Sequence, residues 1–145
     1  MISILTMLLM TCPANAATIG YIDVEKVFSN YEKTKKTQED VRRKGQIIQD
    51  EIINKQKELE KEKSKGMPEA GLRNLVDKFE KEIGPKKTAI EEYQKKMKQE
   101  IYNDIKKATE TTAKKMGLEI VLDKTALITG GTDITDEVIS LLNKK

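Results

Sequence analysis

Apolar positions change their period several times along this chain, and each change marks an element. Thr18 to Val24 (TIGYIDV) gathers Ile19, Tyr21, Ile22 and Val24 into a short run, the pattern of a strand with both faces partly covered. From Glu25 the spacing becomes an alternation of four and three: Val27, Tyr31, Thr34, Gln38, Val41, Gly45, Ile48, Ile52, Lys55 and Leu59. Heptad spacing of this kind places one residue per turn on a common helical seam. Thr34, Gln38 and Gly45 weaken that seam, which predicts a flexible helix with a mixed inner surface. Ser64, Gly66, Pro68 and Gly71 then cluster and end the helix, because Gly relaxes the backbone and Pro cannot donate the next helical hydrogen bond.

A second helical stretch follows with Leu72, Val76, Phe79, Ile83, Ile90, Tyr93, Met97, Ile101, Ile105 and Ala108 at spacings of three and four. It is expected to return antiparallel to the first. Gly84-Pro85 interrupts it, and the pair predicts either a kink or a true break into two shorter helices. With roughly forty residues per helix and about 1.5 Å per residue, the hairpin is on the order of 60 Å long. After Met116-Gly117, Leu118 to Leu122 (LEIVL) and Ala126 to Thr129 (ALIT) read as two short strands joined tightly by Asp123-Lys124-Thr125. Gly130-Gly131 frees the backbone before a last helix with Ile134, Val138, Leu141 and Leu142 as its apolar stripe. Asp133 is placed to accept from its first-turn amides, and Asp136 stands where a capping-box acid usually does.

The layout is therefore nearly mirror-symmetric, and it brings the chain ends together. The fold expected is α+β, mostly α: a long antiparallel hairpin arm over residues 25–116, with its tip near 64–71. It projects from a small β-body made by the N-terminal strand in 17–24 and the C-terminal strands and helix in 117–145. Such an arm is too thin to bury a core of its own.

Composition agrees with an elongated, self-associating protein. Of 145 residues 35% are charged and 4% aromatic, whereas an ordinary globular domain is about one-quarter charged. Little of the length can join one core, so oligomerisation is the default expectation. A net charge of +3 is too modest to support a nucleic-acid partner.

The first residues point to export. Met1 to Met10 is an uncharged apolar run too short to span a bilayer, and Ala14-Asn15-Ala16 has the small-x-small form of a signal-peptidase site. Cleavage after Ala16 leaves a mature chain beginning at Ala17, without cysteine. The run lacks a preceding Lys or Arg, which raises the question of whether Met1 is the true start. Cys12 sits in a poor lipobox context. A buried helix of a cytosolic protein is the competing reading.

Little in the sequence supports enzymatic chemistry. There is no His, and the one Cys lies in the leader, so an imidazole base or thiol nucleophile is excluded from the mature chain. Gly130-Gly131 follows an apolar run but lacks the later Gly, Lys and Ser/Thr of a phosphate loop. Asp133, Asp136 and Glu137 fit helix capping better than a metal site. The expectation is a protein without catalytic residues, metal or cofactor. Lys33, Lys35, Lys36, Arg42, Arg43 and Lys44, with Lys86, Lys87, Lys95, Lys96 and Lys98, form either a solvated face or a positive surface for acidic unfolded chains or anionic lipid.

Two segments, IGYIDVEKVFSNYEKTKK near the start and LEIVLDKTALITGGTDITDEVISLL at the end, resemble the Skp/OmpH family of periplasmic chaperones. The resemblance covers the mature chain in layout, while the arms match in character only. It implies a jellyfish-shaped homotrimer in which the end strands of three subunits form a β-body and three arms enclose a cavity. Unfolded outer-membrane proteins would be held there without ATP on their way across the periplasm. Carried over residue by residue, the oligomerisation body involves Ile19, Tyr21, Ile22, Leu118, Ile120, Leu122, Leu127, Ile128, Ile134 and Val138. The arm positions Ile48, Ile52, Leu59, Met67, Leu72, Phe79, Ile83, Ile90 and Tyr93 are the candidate client contacts. Lipopolysaccharide or another anionic lipid is a further candidate partner. The alternatives are a structural coiled coil of the envelope, a lipid-binding envelope protein and a cytosolic prefoldin-like chaperone.

Overall fold

The computed structural model describes residues 17–144; the leader expected from the sequence, with Ala14 and Ala16 as its expected cleavage positions, lies outside them. β1 (Ile19–Ile22) is the central strand of a three-stranded sheet, with β2 (Ile120–Asp123) and β3 (Thr132–Asp133) on either side. Both pairings are parallel, and the register sets Ile19 opposite Ile120, Tyr21 opposite Leu122, and Gly20 opposite Thr132. Parallel neighbours need a long crossover. The entire helical arm is that crossover between β1 and β2.

Three helices build it: α1 (Val24–Asn30), α2 (Glu32–Ser64) and α3 (Glu69–Met116). Asp23 caps α1 by accepting from the Lys26 amide at 2.8 Å. The first helix expected from Glu25 onward is in fact two, because Tyr31 leaves helical geometry with ψ at 122°. Its in-phase seam position concealed that break. α2 and α3 both end in Schellman closures. At the tip the Met67 amide reaches the Glu62 carbonyl and Gly66 takes φ 84°; at the base Leu118 reaches Ala113 and Gly117 takes φ 67°. Glycine tolerates this left-handed conformation without a Cβ penalty.

α3 runs without a break through Pro85, which excludes the division into two helices at Gly84-Pro85. The two helical seams fall where the spacing put them. Every counted seam position except Gln38 and Gly45 is buried or half-buried.

The C-terminal region departs from expectation in two places. Ala126 to Thr129 forms no strand: Lys124–Ala126 is a 3-10 turn, and the third strand is Thr132–Asp133, beyond the glycine pair. Asp123 organises the turn by accepting from the Thr125 amide and hydroxyl, both at 2.8 Å. This local satisfaction ends β2 before ALIT can pair. α4 (Thr135–Asn143) closes the chain. Asp133 does accept from the Thr135 amide, at 2.9 Å, whereas Asp136 pairs with Lys26 of α1 at 2.8 Å rather than completing a capping box.

The core lies at the base of the arm. Ile22, Val27, Tyr31, Ile101, Ile105, Ala108, Ile134, Val138 and Leu142 form one buried cluster joining β1, α1, the lower part of α3 and α4.

Candidate functional site

Two surfaces carry the residues singled out from the sequence, and the backbone decides how each is presented. In a strand successive side chains alternate between faces. Gly20, Ile22 and Val121 therefore face the helices, and Ile19, Tyr21, Ile120 and Leu122 face away. Ile22 is buried in the core and Val121 packs against it. On the outer face Ile19 is 38% exposed and Ile120 45%. The loop after the 3-10 turn folds toward this face: a Cβ on Gly131 would lie 3.3 Å from the Tyr21 ring and 3.4 Å from Leu127. Ile128 projects from that loop wholly exposed, at 102%.

The ten body residues thus separate into two groups. Ile22, Ile134 and Val138 are core residues of the single chain, and Leu118 packs beside them. Ile19, Tyr21, Ile120 and Leu122 make an apolar strand face that the chain leaves partly uncovered, and on the loop after the 3-10 turn Leu127 is half-buried and Ile128 exposed.

The arm is presented differently. Ile48 and Ile83 are buried in the seam between α2 and α3, at 8% and 7% exposure, and between Val41 and Met97 no other side chain is fully buried. Ile52, Leu59, Met67, Leu72, Phe79, Ile90 and Tyr93 are all half-buried. Ile52, Leu59 and Phe79 floor a groove of about 420 Å³ with Val76 and Gly84. Leu59 and Leu72 floor another nearer the tip, of about 620 Å³, edged by Lys63 and Arg73. Lysines roof the aromatic rings. The Lys44 ammonium stands 3.8 Å from the Tyr93 ring centre and that of Lys55 4.4 Å from Phe79, within cation–π range.

Ion pairs bridge the two helices across the seam. Lys33 reaches Asp104 at 3.0 Å and Glu100 at 3.1 Å, Lys86 reaches Glu51 at 2.7 Å, and Lys55 pairs with Glu82. The Asp104 hydrogen bond holds the Lys33 pKa above its ordinary value, and the Glu82 bond does the same for Lys55. Glu82 is lowered in turn by Lys55. The Tyr31 phenol, desolvated and bonded to Asp104, is pushed up.

Sequence spacing missed a groove of about 1080 Å³ where the arm meets the body. Phe28, Tyr102, Ile105 and Val121 give it an apolar floor, with Lys98 and Lys106 at its edge. Phe28 and Tyr102 fall outside the seam positions, and that displacement was the one available clue. Among the described residues no group of three His, Cys, Asp or Glu side chains is placed to hold a metal. None of the described helices is long and apolar enough to cross a membrane. The arrangement offers adaptable apolar contact edged with charge.

A family model described as "Outer membrane protein (OmpH-like)" matches residues 18–142. No curated protein matches the chain.

Proposed function

We propose, from the premise that this chain belongs to the OmpH-like family, that it is an ATP-independent periplasmic holdase for unfolded outer-membrane proteins. Membership supports a chaperone role in outer-membrane protein biogenesis and a periplasmic location. The observation that carries the holding mechanism is the unsealed arm, which between Val41 and Met97 fully buries only Ile48 and Ile83. Half-buried apolar side chains in shallow grooves can re-pack around varied segments without a fixed pocket, as promiscuous binders require.

Holding then works by mass action. A chain that binds the unfolded client lowers its free concentration and withdraws it from aggregation, and release needs only a tighter acceptor downstream. The apolar outer face of the sheet supports assembly into a homotrimer, with the arms of the subunits around a shared space. Lysines along the arm would speed encounter with acidic segments, an effect that salt screens.

Light scattering of a urea-diluted outer-membrane β-barrel tests the reading. The mature chain should suppress aggregation at near-stoichiometric ratio without nucleotide, and capture should slow as salt rises. Unchanged aggregation would contradict the holdase. Co-sedimentation with anionic liposomes in the absence of any client effect would support the lipid-binding alternative instead.

A further inference from the structure

The break between α1 and α2 separates backbone groups that neither helix satisfies by itself. The Tyr31 amide still donates to the Val27 carbonyl, at 3.0 Å, and the Thr34 and Lys35 amides return to the Tyr31 carbonyl. On either side of Tyr31 stand the Asn30 carbonyl and the Glu32 amide. One side chain serves both. Asn143, the last residue of α4, accepts from the Glu32 amide at Oδ1 and donates from Nδ2 to the Asn30 carbonyl, each at 3.0 Å. A planar carboxamide carries an acceptor and donors together, so it replaces for each helix end the partner that the break removed.

Two further observations bear on the root of the arm. Thr34, in the first turn of α2, is 1% exposed and its hydroxyl has no hydrogen-bond partner. A buried unpaired hydroxyl favours any movement that returns it to water. Beside it a groove of about 290 Å³, lined among others by Thr34, Val41, Gln94 and Ile101, leaves α2 room to move. Against that movement stand the Tyr31 hydroxyl bond to Asp104, at 3.1 Å, the Lys33 pairs with Asp104 and Glu100, and the Asn143 clip.

We propose that Asn143 is the positioning residue of the arm: its carboxamide fixes the angle at which α2 leaves the body, and thereby the space available to a client. The consequence for clients rests on the holdase reading; the angle does not. The residue that holds the hinge lies more than one hundred positions further along the chain, on the helix that packs into the body.

Spin labels at Ser64→Cys in the tip and Glu119→Cys in the body, in labelled subunits diluted with unlabelled protein, read the angle as a distance distribution. Asn143→Ala should broaden that distribution and raise hydrogen exchange at the Glu32 amide about tenfold, as loss of one hydrogen bond implies. The Val138 amide should exchange as before. Asn143→Asp keeps the acceptor and loses the donor, so it should restore protection at Glu32 while the distribution stays broader than in the parent. An unchanged distribution in Asn143→Ala, or broadening with equal loss of Val138 protection, would overturn the proposal. Broadening with unaltered capture of a urea-unfolded β-barrel would overturn the link to the client space. Absence of capture by the parent protein would instead defeat the holdase reading and leave the angle result standing.

Discussion

Ile101 is 2% exposed in the cluster where α1, α3 and α4 meet, and truncating it leaves a cavity that the surrounding helices can only partly fill. Ile101→Ala should lower stability by about 2–5 kcal/mol, read as a fall in the urea midpoint. Asp133 sets a pH dependence at the same scale. The Thr135 hydroxyl donates to its carboxylate, and so does the Thr135 amide, which together hold its pKa below the ordinary value. A lowered carboxylate stabilises the fold fully above its unfolded pKa, and that contribution is lost as pH falls through the folded value. The loss therefore belongs below the usual aspartate pKa of about 3.9. Asp133→Asn should flatten the acid limb of a stability profile below that point and leave its shape at neutral pH unaltered. Asp133 was legible as an acceptor for the first turn of α4 because its donors are two residues away, although the N-cap position itself is Ile134. Asn143 was not, because its partners are Asn30 and Glu32 and no local pattern joins them.

Among the elements, the α2–α3 hairpin was the most legible, since a three-four spacing on both sides of a Gly/Pro cluster admits few other folds. The break at Tyr31 was hidden by the same spacing: Val27, Tyr31 and Thr34 stay in phase across it, and all three are buried. β3 was illegible for a different reason. Two residues whose pairing is parallel to a strand at the other end of the chain carry no periodicity, and the more apolar ALIT drew the assignment instead. Gly84 gives a test of arm stability. An added Cβ there meets nothing within 4 Å, so Gly84→Ala should stabilise α3 by about 0.5–1 kcal/mol, seen as a higher thermal midpoint by circular dichroism. A lower midpoint would mean that the arm depends on bending at Gly84-Pro85.

The whole molecule joins a well-packed base to a long arm with little buried, and the side of the sheet away from the helices carries uncovered apolar side chains, Ile19 and Ile120 among them. That division was implied by the sequence, which placed the strands at both ends, but which body residues are core and which are surface depended on register. Ile22 and Ile19 are three positions apart and face opposite ways. Ile120→Asp, at a 45% exposed position, should leave the subunit folded by circular dichroism and abolish its assembly in analytical ultracentrifugation. The most direct test of the account is native mass spectrometry of residues 17–145, alone and mixed with a urea-unfolded outer-membrane β-barrel. The account predicts a trimer that takes up a single client without nucleotide. A monomer or dimer that leaves the client unbound would contradict it.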